Sequence, residues 1–395
     1  MAAASLVLRS ARVADARGRR DGLTDIFIAD GRIADIEDTA RARFQADESI
    51  DVAGGFVVPG LMNAHAHLTL DAGPDPDRTL REESRTDTVI RSARRLLETV
   101  RAGVTTIRDL GGFGGIDLEL ARVVDRGEIT GPRVLASGRV VTMTGGHGWW
   151  IGLEADGPDA VRAAARTNLK AGARSIKIMA TGGMMTGGRQ AGQPQLTIEE
   201  MAAAVDEAHK RGVPVGAHAE SRVGVRNAIL AGVDSVEHGH GGDAEVIELM
   251  LERGTFLVPT ILSDRRIIEA GFDAGIPDFV VEQCDALHDS LVAFLEAAIR
   301  AGVKVAAGND GGAPLVPMGD MVGELELYVR HGMTPVDALA SATTVTAGLL
   351  RLPDVGLVEP GYVADLLVLG DDPLASVGAL RGPQVVVARG AVVSG

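Results

Sequence analysis

Short apolar, β-branched runs recur through the middle of this chain, each followed by a longer helical pattern, and this rhythm constrains the fold more than any other feature. The runs are "FVVPGLMNAHAHL", "VTTIRDL", "RVLASGRVV", "SIKIMATGG", "VPVGAHAE", "VDSVEHG", "GTFLVPT" and "VKVAAGND". Between them lie segments such as "TIEEMAAAVDEAHKRG", with Thr197 as a helix start, an acidic first turn and Gly212 as a stop. Strands that are apolar throughout, alternating with helices, form a parallel sheet covered on both faces. Eight such units are the number that closes a (β/α)8 TIM barrel, so the expected fold class is α/β.

The two ends have a different texture. "SLVLRSARV" and "DIFIADGRIADIE" alternate apolar and polar residues and break at Asp-Gly, as do "ADLLVLGDDPLASV" and "PQVVVARGAVVSG" in outline. They read as antiparallel strands joined by tight turns. The expected organisation is a composite β-sandwich domain from residues 1–56 and 356–395, bracketing a barrel of residues 57–355.

Composition narrows the function. The chain of 395 residues carries 54 acidic and 39 basic residues, a formal charge of −15. Nucleic acid and anionic membranes both call for clustered Lys and Arg, so neither is an expected partner. No apolar run approaches the ~20 residues of a membrane span. The N-terminal "MAAASLVLRSARVADARG" places Arg9, Arg12 and Asp15 too early for a secretory signal. The single cysteine, Cys284, excludes an internal disulfide and fits a reducing compartment, so a cytoplasmic location is expected.

In a parallel barrel, functional side chains gather at the C-terminal ends of the strands. Here the first strand ends in His65 and His67, which share a face because residues i and i+2 do. The fourth carries Lys177, the fifth ends in His218, the sixth in His238 and the eighth in Asp310. Each has an ordinary reading alone: a hydrogen-bonded core histidine, a snorkelling lysine, a turn aspartate. Together on one rim they would form a desolvated charged patch costing several kcal/mol. Divalent metal relieves that cost, and imidazole with carboxylate suits Zn²⁺. An ammonium cannot ligate a cation, but a neutral buried amine can take up CO₂ and become a carbamate able to bridge two ions. On that reading His65, His67 and Asp310 hold one Zn²⁺ or similar ion, His218 and His238 the other, with the carbamate of Lys177 between them.

The set "HAH", the lysine in "KIMATGG", "AHAES", "SVEHG" and the aspartate of "GNDGG", with "VEPGYVADLLVLGDDPL" near the end, resembles the amidohydrolase superfamily along essentially the whole chain. Within it, "KIMATGGMMTGG" followed by "AHAES" and "SVEHG" is most similar to the prolidase-like and ochratoxinase-like, imidazolonepropionase-related branch. The resemblance implies a binuclear zinc centre bridged by a carboxylated lysine and a hydroxide. It also implies hydrolysis of a C–N amide bond in a dipeptide or an N-acyl or N-aroyl amino acid. The alternative is an aminohydrolase (deaminase) or ring-opening hydrolase of an N-heterocycle working with fewer metals. Two departures stand out: Glu220 follows "HA" where the branch often has "HAHG", and "GNDGG" replaces "GTDAG".

Remaining roles are expectations of the same reading. Asp310 accepts the proton of the attacking water and passes it to the leaving amine. His147, in "TMTGGHGWW", either stabilises the oxyanion or lies on a surface loop. Trp149 and Trp150 either wall an apolar substrate subsite or pack on the rim. The glycine-rich loop after Thr181 is a candidate lid, and Arg189 within it either clamps a substrate carboxylate or is solvated. His240 is placed behind the ligands, while His209, His288 and His331 are read as solvated on helices. The partner is a small-molecule amide, and a homo-oligomer is expected.

Overall fold

A computed structural model describes residues 5–187 and 191–394. Its two ends fold together, as their texture requires. A nine-stranded sheet runs in the order Ala391–Ser394, Val385–Ala388, Leu366–Leu369, Phe56–Pro59, Leu6–Asp15, Thr24–Ala29 and Arg32–Asp38, with Gly18–Arg19 and Glu48–Asp51 also paired to Leu6–Asp15. Asp30 and Gly31, with φ of 50° and 77°, make the turn between two of these strands. Successive positive φ values match the hairpin turn whose twist suits antiparallel strands. Leu6, Leu8, Ile26, Ile28, Val57, Leu366 and Val368 form the sheet's own apolar core. Because Phe56–Pro59 belongs to this sheet, only Gly60 separates it from Leu61–Ala66, which carries His65.

The middle is mixed α/β with parallel pairing. Leu61–Ala66, Val104–Asp109 and Arg133–Ala136 form one parallel sheet. Val140–Thr142, Ile176–Met179, Val215–Ala219, Ser235–His238 and Phe256–Val258 form another, with Gly152–Glu154 at its edge. Arg174 N donates to Ala136 O at 2.8 Å, linking the two sheets. Helices fill the connections. Ile198–His209 starts at a reciprocal cap, with Thr197 Oγ1 accepting from Glu200 N and Glu200 Oε2 accepting from Thr197 N. Such a cap is worth roughly 1 kcal/mol. Ile107, Val134, Ile178, Val236 and Leu257 are fully buried between sheet and helices. Each such side chain contributes about 1.5–3 kcal/mol of hydrophobic stabilisation.

Two of the eight expected strands are irregular. The third is broken at Gly138 (φ 72°) into Arg133–Ala136 and Val140–Thr142. The eighth is held by single bonds on both flanks. Leu257 N donates to Lys304 O and Ala306 N to Leu257 O, while Ala64 N donates to Ala307 O and Gly311 N to His65 O. A Cβ at Gly308 would stand 2.8 Å from His65 N, so only glycine permits this approach. Asp310 then turns to φ 57°, and Gly311 stays paired with the first strand, His67 N donating to Gly311 O at 2.7 Å.

Candidate metal centre and active site

Parallel register places the polar side chains. Lys177 lies opposite Gly216 and Met179 opposite His218, while Ala219 lies opposite His238. His65, His67, His218, His238 and Asp310 converge with Lys177 on one small chamber, about 60 Å³ of free space, which His147, Glu220 and Asp264 also line. Two donor sets appear within it. His65, His67 and Asp310 present ligand atoms within 4.8 Å of one another, and so do His218, Glu220 and His238. Asp310 Oδ1 is 3.3 Å from His65 Nε2 and 3.5 Å from His67 Nε2. The His65 and His238 rings, 5.0 Å apart, join the sets.

Three of the imidazoles are oriented from behind. Nδ1 of His65 faces Glu237 Oε2 at 2.8 Å, that of His67 faces Gly111 O at 3.2 Å, and that of His238 faces Thr260 Oγ1 at 2.7 Å. A partner on Nδ1 leaves Nε2 free for a metal. His218 differs, with Nε2 3.3 Å from Gly182 O. Glu237 is itself held by Arg108 Nη2 at 2.8 Å and by Ser235, all fully buried. His238 and Asp310 both have left-handed φ, 68° and 57°. Such conformations cost of order 1–3 kcal/mol and persist where surroundings enforce them.

The electrostatics suit cations. Burial holds His65, His218 and His238 well below the ordinary imidazole value and His67 down at about 4, with the Lys177 charge adding to the effect. Neutral imidazole is the ligating form. Burial lowers Lys177 to about 8, against the pull of Glu237 and Asp310. It also raises Asp310 to about 6 and Glu220 to about 8. Among the described residues, the buried Lys177 Nζ, His65 Nε2 and Glu220 Oε2 have no hydrogen-bond partner. Orphaned buried polar atoms of opposite preference around one chamber fit divalent metal.

The structure brings His147 into the site rather than onto an outer surface. Its Nδ1 is 2.6 Å from Thr186 Oγ1, and its ring lies 4.4 Å from that of His218. A Cβ at Gly183 would stand 2.6 Å from His147 Nε2, which explains one glycine of "TGGMMTGG". Beyond the chamber, a vestibule of about 270 Å³ is lined by Trp149, Trp150, Phe279 and Arg81 and shares Trp150, Met185 and Pro314 with it. Trp149 remains 49% exposed, so it is not spent on packing. The described part of the loop after Thr181 is docked: Met184 is buried against Ile267 and Val280, and Gln283 donates to Met184 O. Arg189 lies outside the described residues.

His240 is buried with Nε2 2.9 Å from Asp264, behind the ligands. Of the three histidines read as solvated, only His209 is exposed. His288 lies on the inward face of its helix, 3.8 Å from Asp264, and His331 caps the end of Met321–Arg330, partly buried beside Glu296 at 3.1 Å. Glu237 and Arg108 were not singled out by the sequence reading. The available signal was a charge inside an apolar strand, the same signal that marked Lys177.

Parallel α/β architecture with histidine–carboxylate donor sets at one mouth defines a metal-dependent hydrolase. The chain belongs to the amidohydrolase family, whose model matches residues 56–393. It is 33% identical to an ochratoxinase from Aspergillus niger over 363 residues, 84% of this chain and 73% of that one. A Xaa-Pro dipeptidase crystallised with methionine in its active site superposes with a TM-score of 0.91 at 30% identity, over 99% of this chain and 100% of that one. A putative prolidase from Bifidobacterium longum gives 0.88 at 35%, over 98% and 94%. The protein is therefore a metal-dependent hydrolase acting on amide C–N bonds. Among the described residues no helix is long and apolar enough to cross a membrane.

Proposed function

We propose that the protein hydrolyses a dipeptide or an N-acyl or N-aroyl amino acid with two divalent ions, zinc by donor type. His65, His67 and Asp310 would hold one ion and His218 and His238 the other. Lys177, carboxylated by CO₂ with release of a proton, would bridge them. The observation that carries this is the convergence of both donor sets on a buried amine that, among the described residues, has no hydrogen-bond partner. The dipeptidase and ochratoxinase relatives support the substrate class.

Metal in such a site acidifies water and polarises a carbonyl. The rest falls to the chain. Asp310 keeps one oxygen between His65 and His67 and has another to receive the water proton and return it to the departing nitrogen. His147, fixed through Nδ1 by Thr186, donates from Nε2 to the developing oxyanion. The chamber is small and opens to the vestibule, so the acyl or aroyl portion extends toward Trp149 and Trp150.

This reading keeps the eight strands as one (β/α)8 barrel, supported by the bonds that flank residues 304–311 on both sides. The termini form the composite β-sandwich domain (1–56 and 356–395), with Phe56–Pro59 as the strand shared with the barrel region 57–355. A cytoplasmic homo-oligomer acting on a small molecule completes the proposal. The test is a panel of Xaa-Pro and other dipeptides with N-acyl and N-aroyl amino acids, run beside metal analysis. Turnover of at least one class by protein holding two ions is expected. Two bound ions with no turnover of any amide would refute the substrate class.

A further inference from the structure

Outside the catalytic chamber, a cavity of about 600 Å³ lies between the helix Arg85–Arg101, the segment before Met321–Arg330, and the C-terminal region at Arg381. Arg91, Arg94 and Arg95 reach it from one face of the first helix, and Arg381 from the far side. Arg95 is 6% exposed, yet neither Nη1 nor Nη2 has a hydrogen-bond partner among the described residues. Asp71, Glu98 and Asp109 act on its charge from a distance, but none forms an ion pair with it among the described residues, and a buried guanidinium without hydrogen bonds is costly. The nearby carboxylates are already engaged: Glu83 with Arg91 at 2.6 Å, Glu98 with Arg94 at 3.5 Å, and Asp320 with Arg266 and Arg381 at 2.7 and 3.2 Å. Asp71, also lining the cavity, accepts from Gly73 N at 2.9 Å and, among the described residues, makes no ion pair, acting on Arg95 only from a distance.

We infer that this cavity binds a small oxyanion, a phosphate or carboxylate group, with the planar fork of Arg95 as its principal donor and Arg91, Arg94 and Arg381 at its rim. Guanidinium groups match the two-oxygen edge of such anions, and the cavity is of small-molecule size. The site adjoins the catalytic loops. Ala72 lines the cavity, donates to Gly312 O at 3.1 Å and accepts from Leu315 N at 3.2 Å. An occupant would therefore rest behind the segment that follows Asp310.

Calorimetric titration of the metal-loaded protein with inorganic phosphate and with sulfate, at fixed ionic strength, tests this directly. Saturable binding is expected, weakened roughly tenfold or more in Arg95→Met, as for loss of a charge-assisted hydrogen bond. Arg95→Lys, which keeps charge but not the fork, should fall between. His65→Asn controls for anions bound at metal and should retain the binding. If Arg95→Met does not fold, the double variant Arg94→Gln/Arg381→Gln should still weaken binding several-fold. Absence of binding in the native protein, equal binding in Arg95→Met, equal binding in the double variant, or loss of binding in His65→Asn would each overturn the inference.

Discussion

Glu237 Oε2 lies 2.8 Å from His65 Nδ1 in a wholly buried pocket, and this contact fixes which nitrogen His65 offers to the site. Glu237→Gln weakens the acceptor while keeping shape, so metal affinity should fall about 10- to 100-fold in chelator competition. Arg108→Met, which leaves Glu237 without its cation, should lower stability by about 3–5 kcal/mol in urea unfolding. Unchanged metal affinity in Glu237→Gln would show that His65 is oriented by other means.

His147 is positioned by Thr186 and by the space left at Gly183. His147→Asn should reduce kcat by roughly 10²- to 10³-fold, the size of one lost oxyanion donor, while metal content stays native. Loss of metal in parallel with activity would assign His147 to the metal centre instead.

Trp149 and Trp150 meet edge to face at 6.2 Å in the vestibule. Trp149→Ala should cut kcat/KM for N-aroyl substrates several-fold, consistent with about 0.5–1.5 kcal/mol for an aromatic pair. An N-acetyl substrate, too short to reach the ring, should be unaffected. Equal losses for both would place the tryptophan's effect in folding rather than recognition.

Burial raises Glu324 to about 8 from 4.5, although Ile261 N and Leu262 N both donate to it. The folded state therefore holds a proton that the unfolded chain releases near its ordinary value. Stability from this group is present below the unfolded pKa and declines as pH rises through about 8. Unfolding by urea at roughly pH 5 and pH 8 should show native protein losing stability relative to Glu324→Gln as pH increases. A constant difference between the two would contradict the burial argument.

Most of the side chains that converge on the chamber were legible because parallel strands deliver polar residues to one end at places an apolar run makes conspicuous. His65, His67, Lys177, His218, His238 and Asp310 all stand out this way. The supports behind them did not. Glu237 gains meaning only when strand pairing sets His218 opposite it and brings His65 within reach across 172 residues of chain. The broken eighth strand was also hidden, since Gly308 reads as a strand residue until the closeness of His65 is known. His288 misled because helical position alone does not say which face meets a neighbouring helix, and His331 because it caps its helix beside Glu296 rather than lying along it.

Lys177 is buried and, among the described residues, without a hydrogen-bond partner, amid five histidines and Asp310. Metal analysis of Lys177→Ala, with activity measured in the presence and absence of bicarbonate and short-chain carboxylic acids, tests its bridging role most directly. The expected result is loss of bound metal and of turnover, with the added acids partly restoring activity. A Lys177→Ala protein that keeps two ions and full activity would contradict it.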